Sequence, residues 1–223
     1  MNRKKKLIRK TGPKVKRMKG EDRRKMILRT AQRVFAAETY HGATTAKIAR
    51  AAGVTEPTIY LHFSSKKALF LEVMKDVRRF IMVTTSHILN QEGDLRERYS
   101  QIFETYYQYT TQVNADVSKI WINAISVNDP DIQASLRNFM EEIVGLYSRE
   151  IRAAAEEDKI NLDYLPEVLA RILVAVSVGQ EIMVAIGAGK DRGWVSEGVK
   201  GMLLGWNWGR KSKESSASAK RAQ

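Results

Sequence analysis

The sequence predicts an all-α protein with an N-terminal helix-turn-helix head, joined by a fourth helix to a larger helical bundle. Three observations lead to this prediction. Apolar residues recur at intervals of three and four along most of the 223-residue chain, which is the spacing of a buried helix face. No segment shows a convincing alternation of apolar and polar residues, which a half-buried strand would need. Residues 44–63 have the residue types of two helices that meet at a sharp turn.

The first helix of this stretch is predicted to end at a glycine. Ile48, Ala49 and Ala52 form an apolar stripe at helical spacing, and Gly53 follows them. Glycine adopts most easily the left-handed backbone with which helices commonly end. Ala49 lies four residues before the turn, where two crossing helices touch and a larger side chain would not fit. The pattern predicts a tight turn, with Val54 as a small plug between the helices.

The second helix of the stretch has one apolar side and a polar remainder. Thr55 is a candidate N-cap, Pro57 suits the first helical turn, and Ile59 points back to the core. The polar residues that would bury nothing are Thr55, Glu56, Thr58, Tyr60 and His62. An ordinary helical hairpin is the alternative, but it does not explain so many polar groups on a helix of about two turns. The pattern favours a helix-turn-helix, whose second helix docks in the DNA major groove.

Two lysines follow at the start of the fourth predicted helix. Lys66 and Lys67 fall in its first turn, directly after Ser64 and Ser65. Cations there oppose the helix dipole, at a cost of roughly 0.3–1 kcal/mol. A helix N-terminus with a lysine is instead a good phosphate site, so this feature also indicates DNA binding.

Charge is divided unevenly along the chain. Residues 1–80 carry 22 Lys+Arg against 6 Asp+Glu, a net of +16. Residues 81–208 carry 11 against 18, a net of −7, and the last fifteen residues carry 5 against 1, a net of +4. A generally basic protein would not explain the acidic middle. A basic head on an acidic body is typical of a protein that presents one end to nucleic acid.

Several classes of function find no support in the sequence. The chain has no cysteine, so it offers no disulfide, no thiolate nucleophile and no cysteine-based metal site. The histidines, His41, His62 and His87, have no metal-ligand spacing, and no catalytic constellation of serines, acids and histidines stands out. We therefore expect no enzymatic activity, no metal and no cofactor.

The sequence also gives no indication of a membrane span or an export signal. The N-terminus is rich in lysine and has no apolar segment behind it, so no signal peptide is expected. The most apolar stretch, residues 168–189, is interrupted by Arg171, Gln180 and Glu181, which favours a buried helix over a membrane span. These features predict a cytoplasmic protein without a membrane partner.

Breaks in the apolar spacing divide the chain further. Residues 1–20 hold ten Lys or Arg and no acid, so we expect a disordered basic arm, with a solvated tail of no role as the alternative. The predicted domains are a helix-turn-helix head at 21–67, a helical regulatory and dimerisation domain at 68–209, and a disordered basic tail at 210–223. The predicted helices outside 44–63 span about 21–38, 65–90, 94–111, 117–125, 131–156, 166–186 and 194–208.

The motif residues resemble those of the tetracycline-repressor (TetR) family of transcription regulators. The resemblance covers about residues 21–80 and is carried by Ala31, Phe35, Tyr40, Thr44-Thr45, Ile48-Ala49, Ala52-Gly53-Val54, Thr58-Ile59-Tyr60, His62-Phe63, Lys66 and Leu69. It implies that Thr45 and Ala46 start the helix that rests on the DNA backbone, and that Lys66 meets a phosphate. By the same resemblance the groove-facing residues are Thr55, Glu56, Pro57, Thr58, Tyr60 and His62. The family often has glycine just before the tyrosine. Here this residue is Thr39, so Gly42 is expected to provide the flexible turn.

The resemblance also implies a ligand cavity in the body. The aromatic and methionine residues that could line it are Phe103, Tyr106, Tyr107, Trp121, Phe139, Met140, Tyr147 and Met183. Plain core is the alternative, because aromatic residues at helical spacing usually pack in the core. Amphipathic tyrosines suit an apolar or aromatic effector, which their hydroxyls could orient. Gln180 and Glu181 lie mid-helix among apolar residues and could face ligand, a partner subunit or water.

Glycines on the last predicted helix indicate an assembly surface. Gly201, Gly205 and Gly209 repeat every four residues, although each glycine inside a helix costs roughly 1 kcal/mol relative to alanine. Such a stripe lets another helix approach closely, and a weak helix end is the alternative. Since TetR-like proteins dimerise through their last two long helices, we expect Gly201, Gly205 and Trp206 in a homodimer interface.

The predictions combine into one function. The chain is expected to be a ligand-responsive, homodimeric repressor that binds a near-palindromic double-stranded operator, one half-site for each recognition helix. A small apolar or aromatic effector would change the spacing of the two heads. The alternative is a sequence-tolerant architectural DNA-binding protein, in which the basic arm and tail supply most of the affinity.

Overall fold

The structure is a computed structural model that describes residues 19–113, 116–157, 162, 164–188, 198 and 201. All regular structure in these residues is helical, which confirms the predicted all-α class. In chain order the helices are α1 (Gly20–Gly42), α2 (Thr45–Ala52), α3 (Glu56–Tyr60), α4 (Lys66–Leu89), α5 (Leu95–Gln108), α6 (Asp116–Ile125), α7 (Pro130–Glu157) and α8 (Pro166–Ala185). A π-helical turn, Tyr109–Val113, continues α5 where the sequence predicted an uninterrupted helix.

Several predicted segments lie largely outside the described residues. They are the basic arm up to residue 18, the basic tail and the last predicted helix, with Gly205 and Trp206. Gly198 and Gly201 of that helix are described; both are helical and exposed. No helix in the described part of the chain combines the length and the apolar character that a membrane span requires.

The helix-turn-helix forms as predicted. Thr44 caps α2 by accepting a hydrogen bond from the backbone N–H of Lys47 at 3.2 Å. Gly53 ends α2 in the left-handed conformation, with φ of 65°, and the N–H of Val54 returns to the carbonyl of Ala49 at 3.0 Å. Ala49 and Ile59 are both buried in the same apolar cluster. The chain reversal therefore follows from a glycine and a small crossing residue.

The end of α1 differs from the prediction. Gly42 keeps a helical backbone, and the break falls at Thr39, which has φ of 63° and ψ of 172°. A β-branched residue adopts positive φ only at a cost, of order 1–3 kcal/mol. The expectation that Gly42 provides the turn was therefore wrong. Thr39 takes up the backbone conformation that a glycine would adopt freely.

Aromatic packing fixes the chain around this break. Phe35 and Phe70 meet edge to face at 4.8 Å, and Tyr40 packs against Phe70 at 5.0 Å. Phe35 and Phe70 are fully buried, so a change in the path of α1 would open the centre of the head. The aromatic contacts hold Thr39 in its unfavourable conformation.

The apolar residues form two clusters. The first, the head cluster, unites α1 to α3 and the first half of α4 with residues of α6 and early α7, including Ile120, Ala124 and Ile132. The second, the body cluster, joins the end of α4 to α5, α7 and α8, with Tyr99 and Tyr147 in edge-to-face contact at 5.0 Å. Helix α4 contributes to both clusters, as predicted for the connecting helix. Helix α6 was not predicted to pack into the head.

We expect Thr39→Gly to stabilise the protein. Glycine removes the backbone strain, and the gain exceeds the added flexibility of the unfolded chain, so the free energy of unfolding should rise by about 1 kcal/mol. Chemical denaturation measures this change. The matched control is Thr84→Gly within α4, where a helical residue is replaced and a loss of about 1 kcal/mol is expected. Equal losses for both variants would show that Thr39 carries no strain.

Candidate functional site

The structure places the predicted DNA-binding residues on one end of the head. They differ in exposure: Ala46, Thr55, Pro57 and Tyr60 are exposed, Glu56, Thr58, His62 and Lys66 are half-buried, and Thr45 is buried. We call these nine residues, together with Leu61, the reading face. Within α3, Pro57 and Tyr60 are exposed, Glu56 and Thr58 are half-buried, and Ile59 is fully buried.

Thr45 links the two helices of the motif. Its hydroxyl donates a hydrogen bond to the carboxylate of Glu56. The Tyr60 hydroxyl lies 3.1 Å from the same Thr45 oxygen and, because a threonine has one hydroxyl hydrogen, Tyr60 is the donor of that second bond. Thr45, at the start of α2, thus orients two side chains of α3. This arrangement holds the Glu56 carboxylate inside the motif.

Thr55 and Thr58 form a second pair on the reading face. Their hydroxyl oxygens are 2.8 Å apart. Thr55 occupies the N-cap position with an extended backbone, but its side chain makes no capping hydrogen bond to the helix. The predicted side-chain cap is therefore absent, and the Thr55 hydroxyl instead bonds to Thr58.

Leu61 is a reading-face residue that the sequence did not single out. Its side chain is 83% exposed, beside Tyr60, which is 49% exposed. Leucine is an unusual residue to leave in water next to the recognition helix, and an apolar side chain there can contact the methyl group of a thymine. The signal was present in the sequence, because helical spacing places residue 61 away from Ile59.

Lys66 braces the end of α1. Its ammonium donates to the carbonyls of Tyr40 at 3.1 Å and Ala43 at 3.2 Å, and it lies 4.6 Å from the centre of the Tyr40 ring. These contacts satisfy carbonyls beside the Thr39 break. The structure therefore gives Lys66 a role inside the head, in addition to the predicted phosphate contact.

Lys67 connects the head with the body. Its ammonium pairs with Asp131, in the first turn of α7, at 2.6 Å and with Asp129, just before α7, at 3.3 Å. Desolvation raises the pKa of Asp129, but hydrogen bonds, chiefly those from the backbone N–H of Ile132 and from the Lys67 ammonium, together outweigh it, so the pKa lies below its ordinary value. The lysine at the start of α4 is thus tied to the start of α7.

The body contains a cavity of about 210 Å³ between α5, α6, α7 and α8. Its wall is mostly apolar, and its lining includes a stacked pair, Trp121 and Phe139, whose ring centres are 4.5 Å apart with 16° between the planes. Six residues of the predicted set line it: Phe103, Tyr106, Trp121, Phe139, Met140 and Tyr147. Two do not. Tyr107 is buried elsewhere, and Met183 is exposed on the surface of α8.

Tyr106 and Tyr147 present phenol groups that are already hydrogen-bonded. Tyr106 donates to the carbonyl of Ile81 at 2.7 Å and accepts from Thr85 at 2.8 Å. Tyr147 is bonded to Ser177. Burial raises the pKa of both tyrosines, so both remain neutral at ordinary pH.

Gln180 and Glu181 both line the cavity, so of the three environments considered the structure favours the ligand side. Glu181 is largely buried and accepts a hydrogen bond from the hydroxyl of Ser118. Burial raises the pKa of Glu181 to about 6, and the bond from Ser118 opposes part of that rise. At neutral pH the apolar cavity thus contains a mostly ionised carboxylate. The described part of the chain contains no cluster of three His, Cys, Asp or Glu that could hold a metal.

Helix α6 lies between the cavity and the head. Ser118 and Trp121 face the cavity, whereas Ile120 and Ala124 are fully buried in the head cluster. Asn123 of the same helix donates to the carbonyl of Phe35 in α1 at 2.9 Å. Helix α6 is part of the cavity wall, so a movement of α6 would act directly on α1.

Comparison with known proteins agrees with this architecture. The sequence model of bacterial regulatory proteins of the tetR family matches residues 27–73, which span the helix-turn-helix. The chain is 32% identical over 106 residues to the uncharacterized HTH-type transcriptional regulator YdgC of Bacillus subtilis; the match covers 46% of this chain and about half of that relative, 54%. It is 27% identical over 164 residues to the nucleoid occlusion factor SlmA of Vibrio campbellii, covering 73% of this chain and 81% of SlmA.

Solved structures show the same fold over most of the chain. A transcriptional regulator of Saccharomonospora viridis, determined in complex with choline, superposes with a TM-score of 0.67 at 25% identity, covering 82% of this chain and 94% of that one. FadR of Bacillus subtilis, determined in complex with stearoyl-CoA, superposes with a TM-score of 0.70 at 14% identity, covering 81% and 97%.

The head and its helical body thus define a regulator of the helix-turn-helix class. Residues 27–73 match the model of the tetR family of bacterial regulatory proteins, and the solved structures that share the fold of the chain are described as transcriptional regulators.

The buried carboxylate predicts a pH-dependent stability that Glu181→Gln removes. Because the folded chain holds the Glu181 proton more tightly than the unfolded chain, the contribution to stability is complete below about pH 4.5 and is lost as pH rises through about 6. The loss amounts to about 2 kcal/mol. We subtract the free energy of unfolding of the wild type from that of Glu181→Gln. This difference should be about 2 kcal/mol larger at pH 7.5 than at pH 4.5.

Denaturant unfolding of both proteins across this pH range measures the difference. Glu157→Gln is the matched control, since Glu157 is an exposed carboxylate at the end of α7, and it should show no comparable trend. A difference between wild type and Glu181→Gln that stays constant with pH would contradict the burial of an ionised Glu181.

Proposed function

We propose that this protein is a homodimeric, ligand-responsive repressor that binds a near-palindromic operator in double-stranded DNA. The observation that carries the proposal is the reading face: a short helix held against α2 by buried Ala49 and Ile59, with Tyr60 and Leu61 exposed. A recognition helix of this kind can enter the major groove, where side chains distinguish base pairs. The basic head supplies attraction to phosphates.

An exposed apolar face on α8 supports the dimer. Val168, Ile172 and Ile182 are exposed at helical spacing, Ile186 is exposed in the turn directly after the helix, and a Cβ added to Gly179 of α8 would meet no atom within 4 Å. An apolar helix face of this length is more usual in an interface than in water. We place the dimer contact on this face, with the last predicted helix, including Gly201, Gly205 and Trp206, packing beside it.

The cavity supports regulation by a small effector. Related structures bind chemically different ligands, choline in one and stearoyl-CoA in another, so the fold alone does not define the ligand. In this chain the cavity wall contains Trp121 and Ser118, and their helix contacts α1 through Asn123. We propose that an effector displaces α6 and thereby changes the spacing of the two heads, which requires that the effector prefer one of the two spacings.

A sequence-tolerant architectural role is the second candidate. It is favoured by the similarity to the nucleoid occlusion factor SlmA and by the strongly basic head. An architectural protein would obtain its affinity mainly from phosphates and would lose it readily to unrelated DNA or to salt. Competition between a selected site and unrelated DNA separates the two candidates.

We expect Thr58→Ala to weaken operator binding with little effect on stability, because Thr58 is half-buried on the reading face and its hydroxyl, which bonds only to the exposed Thr55, keeps capacity for a base or phosphate. Loss of one base contact should reduce affinity for the preferred site by about 1–3 kcal/mol and relax the preference at one position. The measurement begins with selection of binding sites from random duplex DNA, followed by affinity measurements on the selected site and on unrelated DNA. Thr111→Ala in the body is the matched control.

The outcomes of this experiment separate the proposals. A selected near-palindromic site that unrelated DNA does not displace supports the repressor. Failure to select any site, with binding that unrelated DNA abolishes, supports the architectural alternative. An unchanged affinity and base preference for Thr58→Ala would mean that the reading face has been placed on the wrong side of α3.

A charge on the α8 face should separate the subunits. We expect Ile172→Arg to shift the protein to monomers, because an arginine buried opposite its own copy leaves two unpaired like charges. Operator affinity should fall at least tenfold, since one head makes half of the contacts. Sedimentation velocity reports the subunit mass. Val83→Arg, at a residue that is 64% exposed on α4, is the matched control, and dimers that persist in Ile172→Arg would exclude this interface.

A further inference from the structure

One charged side chain stands out in the cavity. Among the described residues that line it, Glu181 is the single ionisable group that carries a charge at neutral pH. It projects from α8 into a wall made largely of aromatic and aliphatic side chains. A carboxylate in such surroundings is costly unless a positive group or several hydrogen bonds compensate for its charge.

The described part of the chain provides little compensation. The hydroxyl of Ser118 bonds to the Glu181 carboxylate, and no Lys, Arg or His contributes to its pKa shift, which burial dominates. A hydroxyl hydrogen bond offsets only part of the desolvation of a carboxylate. Among the described residues, the cavity wall therefore provides no counter-charge for Glu181.

The remaining wall favours positive charge as well. The stacked rings of Trp121 and Phe139, with Phe103 beside them in the lining, present π systems whose negative faces attract cations. Tyr106 does not provide a donor for an anion, because its hydroxyl proton goes to the carbonyl of Ile81. The lining does contain neutral donors, the unpaired indole N–H of Trp121 and the amide of Gln180, but it offers an anion no positive charge among the described residues, and an anionic ligand would meet Glu181 as a like charge.

We infer that the cavity binds a small monocationic ligand, with a protonated amine or a quaternary ammonium against the Glu181 carboxylate and an apolar body between the aromatic rings. The inference rests on the proposed role of the cavity as an effector site. The volume sets the size of the ligand: about 150 Å³ holds a benzene molecule, so about 210 Å³ holds one ring with a small ammonium group.

The test compares two probes of the same shape and different charge. Benzyltrimethylammonium carries the cationic nitrogen, and neopentylbenzene replaces that nitrogen with carbon. Calorimetric or thermal-shift titration of the wild-type protein, without DNA, should show the cation binding at least tenfold more tightly. N,N-dimethylbenzylamine, protonated at neutral pH, distinguishes a preference for an N–H donor from a preference for a quaternary centre.

Two variants assign the preference to its residue. Glu181→Gln keeps the shape of the side chain and an acceptor for Ser118, and it should bring the affinities for the two isosteric probes within about threefold of each other. Glu157→Gln, at an exposed site on α7, should preserve the wild-type difference. The wild-type comparison stands without either variant, so poor folding of one of them does not remove the test.

The pH dependence provides an independent measurement. Among the described residues, the other titratable groups that face the cavity are Tyr106 of α5 and Tyr147 of α7, and both stay neutral near neutral pH because burial raises their pKa. A proton on Glu181 competes with the cation, so affinity for benzyltrimethylammonium should be about tenfold weaker at pH 5 than at pH 7. Neopentylbenzene should show no such change.

Equal or tighter binding of neopentylbenzene, no binding of either cation, or a Glu181→Gln variant that keeps the cation preference would each overturn the inference. None of these results concerns the binding of DNA. A protein that prefers the cation but never selects an operator would retain this inference about the cavity while the proposed repressor function fails. If the protein selects an operator but prefers the neutral probe, the proposed repressor function would stand and this inference about the cavity would fail.

Discussion

The structure depends on the packing of one short helix, α6, into two apolar surroundings. Ile120 and Ala124 are buried in the head cluster, while Trp121 packs against that cluster and also forms part of the cavity wall. Close-packed interiors do not deform smoothly, so a helix shared by a head and a cavity moves as a unit or not at all. Beyond its end, the polar links between Lys67 and the two aspartates, 129 and 131, join the start of α7 to the start of α4.

Helix α6 is thus a second connection between the body and the head, in addition to α4. The sequence identified α4 as the mechanical link because it is long and unbroken, and it does contribute to both clusters. Helix α6 adds a shorter route, since Asn123 bonds to the backbone of α1 and thus acts on the first helix of the head. In the proposed mechanism, a ligand in the cavity would act through α6 on α1 and thereby change the spacing of the two heads.

The fold of the head could be predicted because its determinants are local. Gly53, Ala49 and Ile59 define the turn and the helix crossing through backbone preference, size and polarity, and all three act as expected. Thr39 could not be predicted in the same way. Residue type disfavours its conformation, and only the burial of Phe35 and Phe70 around it makes that conformation the best available. Lys66 likewise bonds to carbonyls that the Thr39 break brings within reach.

The cavity could be predicted only in part, for a related reason. Helical spacing identifies buried faces, but it does not say which buried residues border a void. Tyr107 directly follows Tyr106, but successive side chains of a helix point in different directions, so Tyr107 does not line the cavity. Met183 lies two residues after Glu181 and faces the surface. The sequence shows Glu181 only as a charge among apolar residues. The structure adds that α6 places the hydroxyl of Ser118 against its carboxylate.

The hydrogen bonds that Thr45 donates to Glu56 and accepts from Tyr60 have a consequence for selectivity. Side chains that are held in place before contact lose less conformational entropy when they meet DNA, and they also have less freedom to adapt to a wrong base pair. A mismatched step would leave polar groups of a rigid surface without partners, each at a cost of about 1–3 kcal/mol. The base pairs that face Glu56 and Tyr60 would then be discriminated mainly through weak binding to incorrect sites. The protein would dissociate from such sites faster than from the correct one.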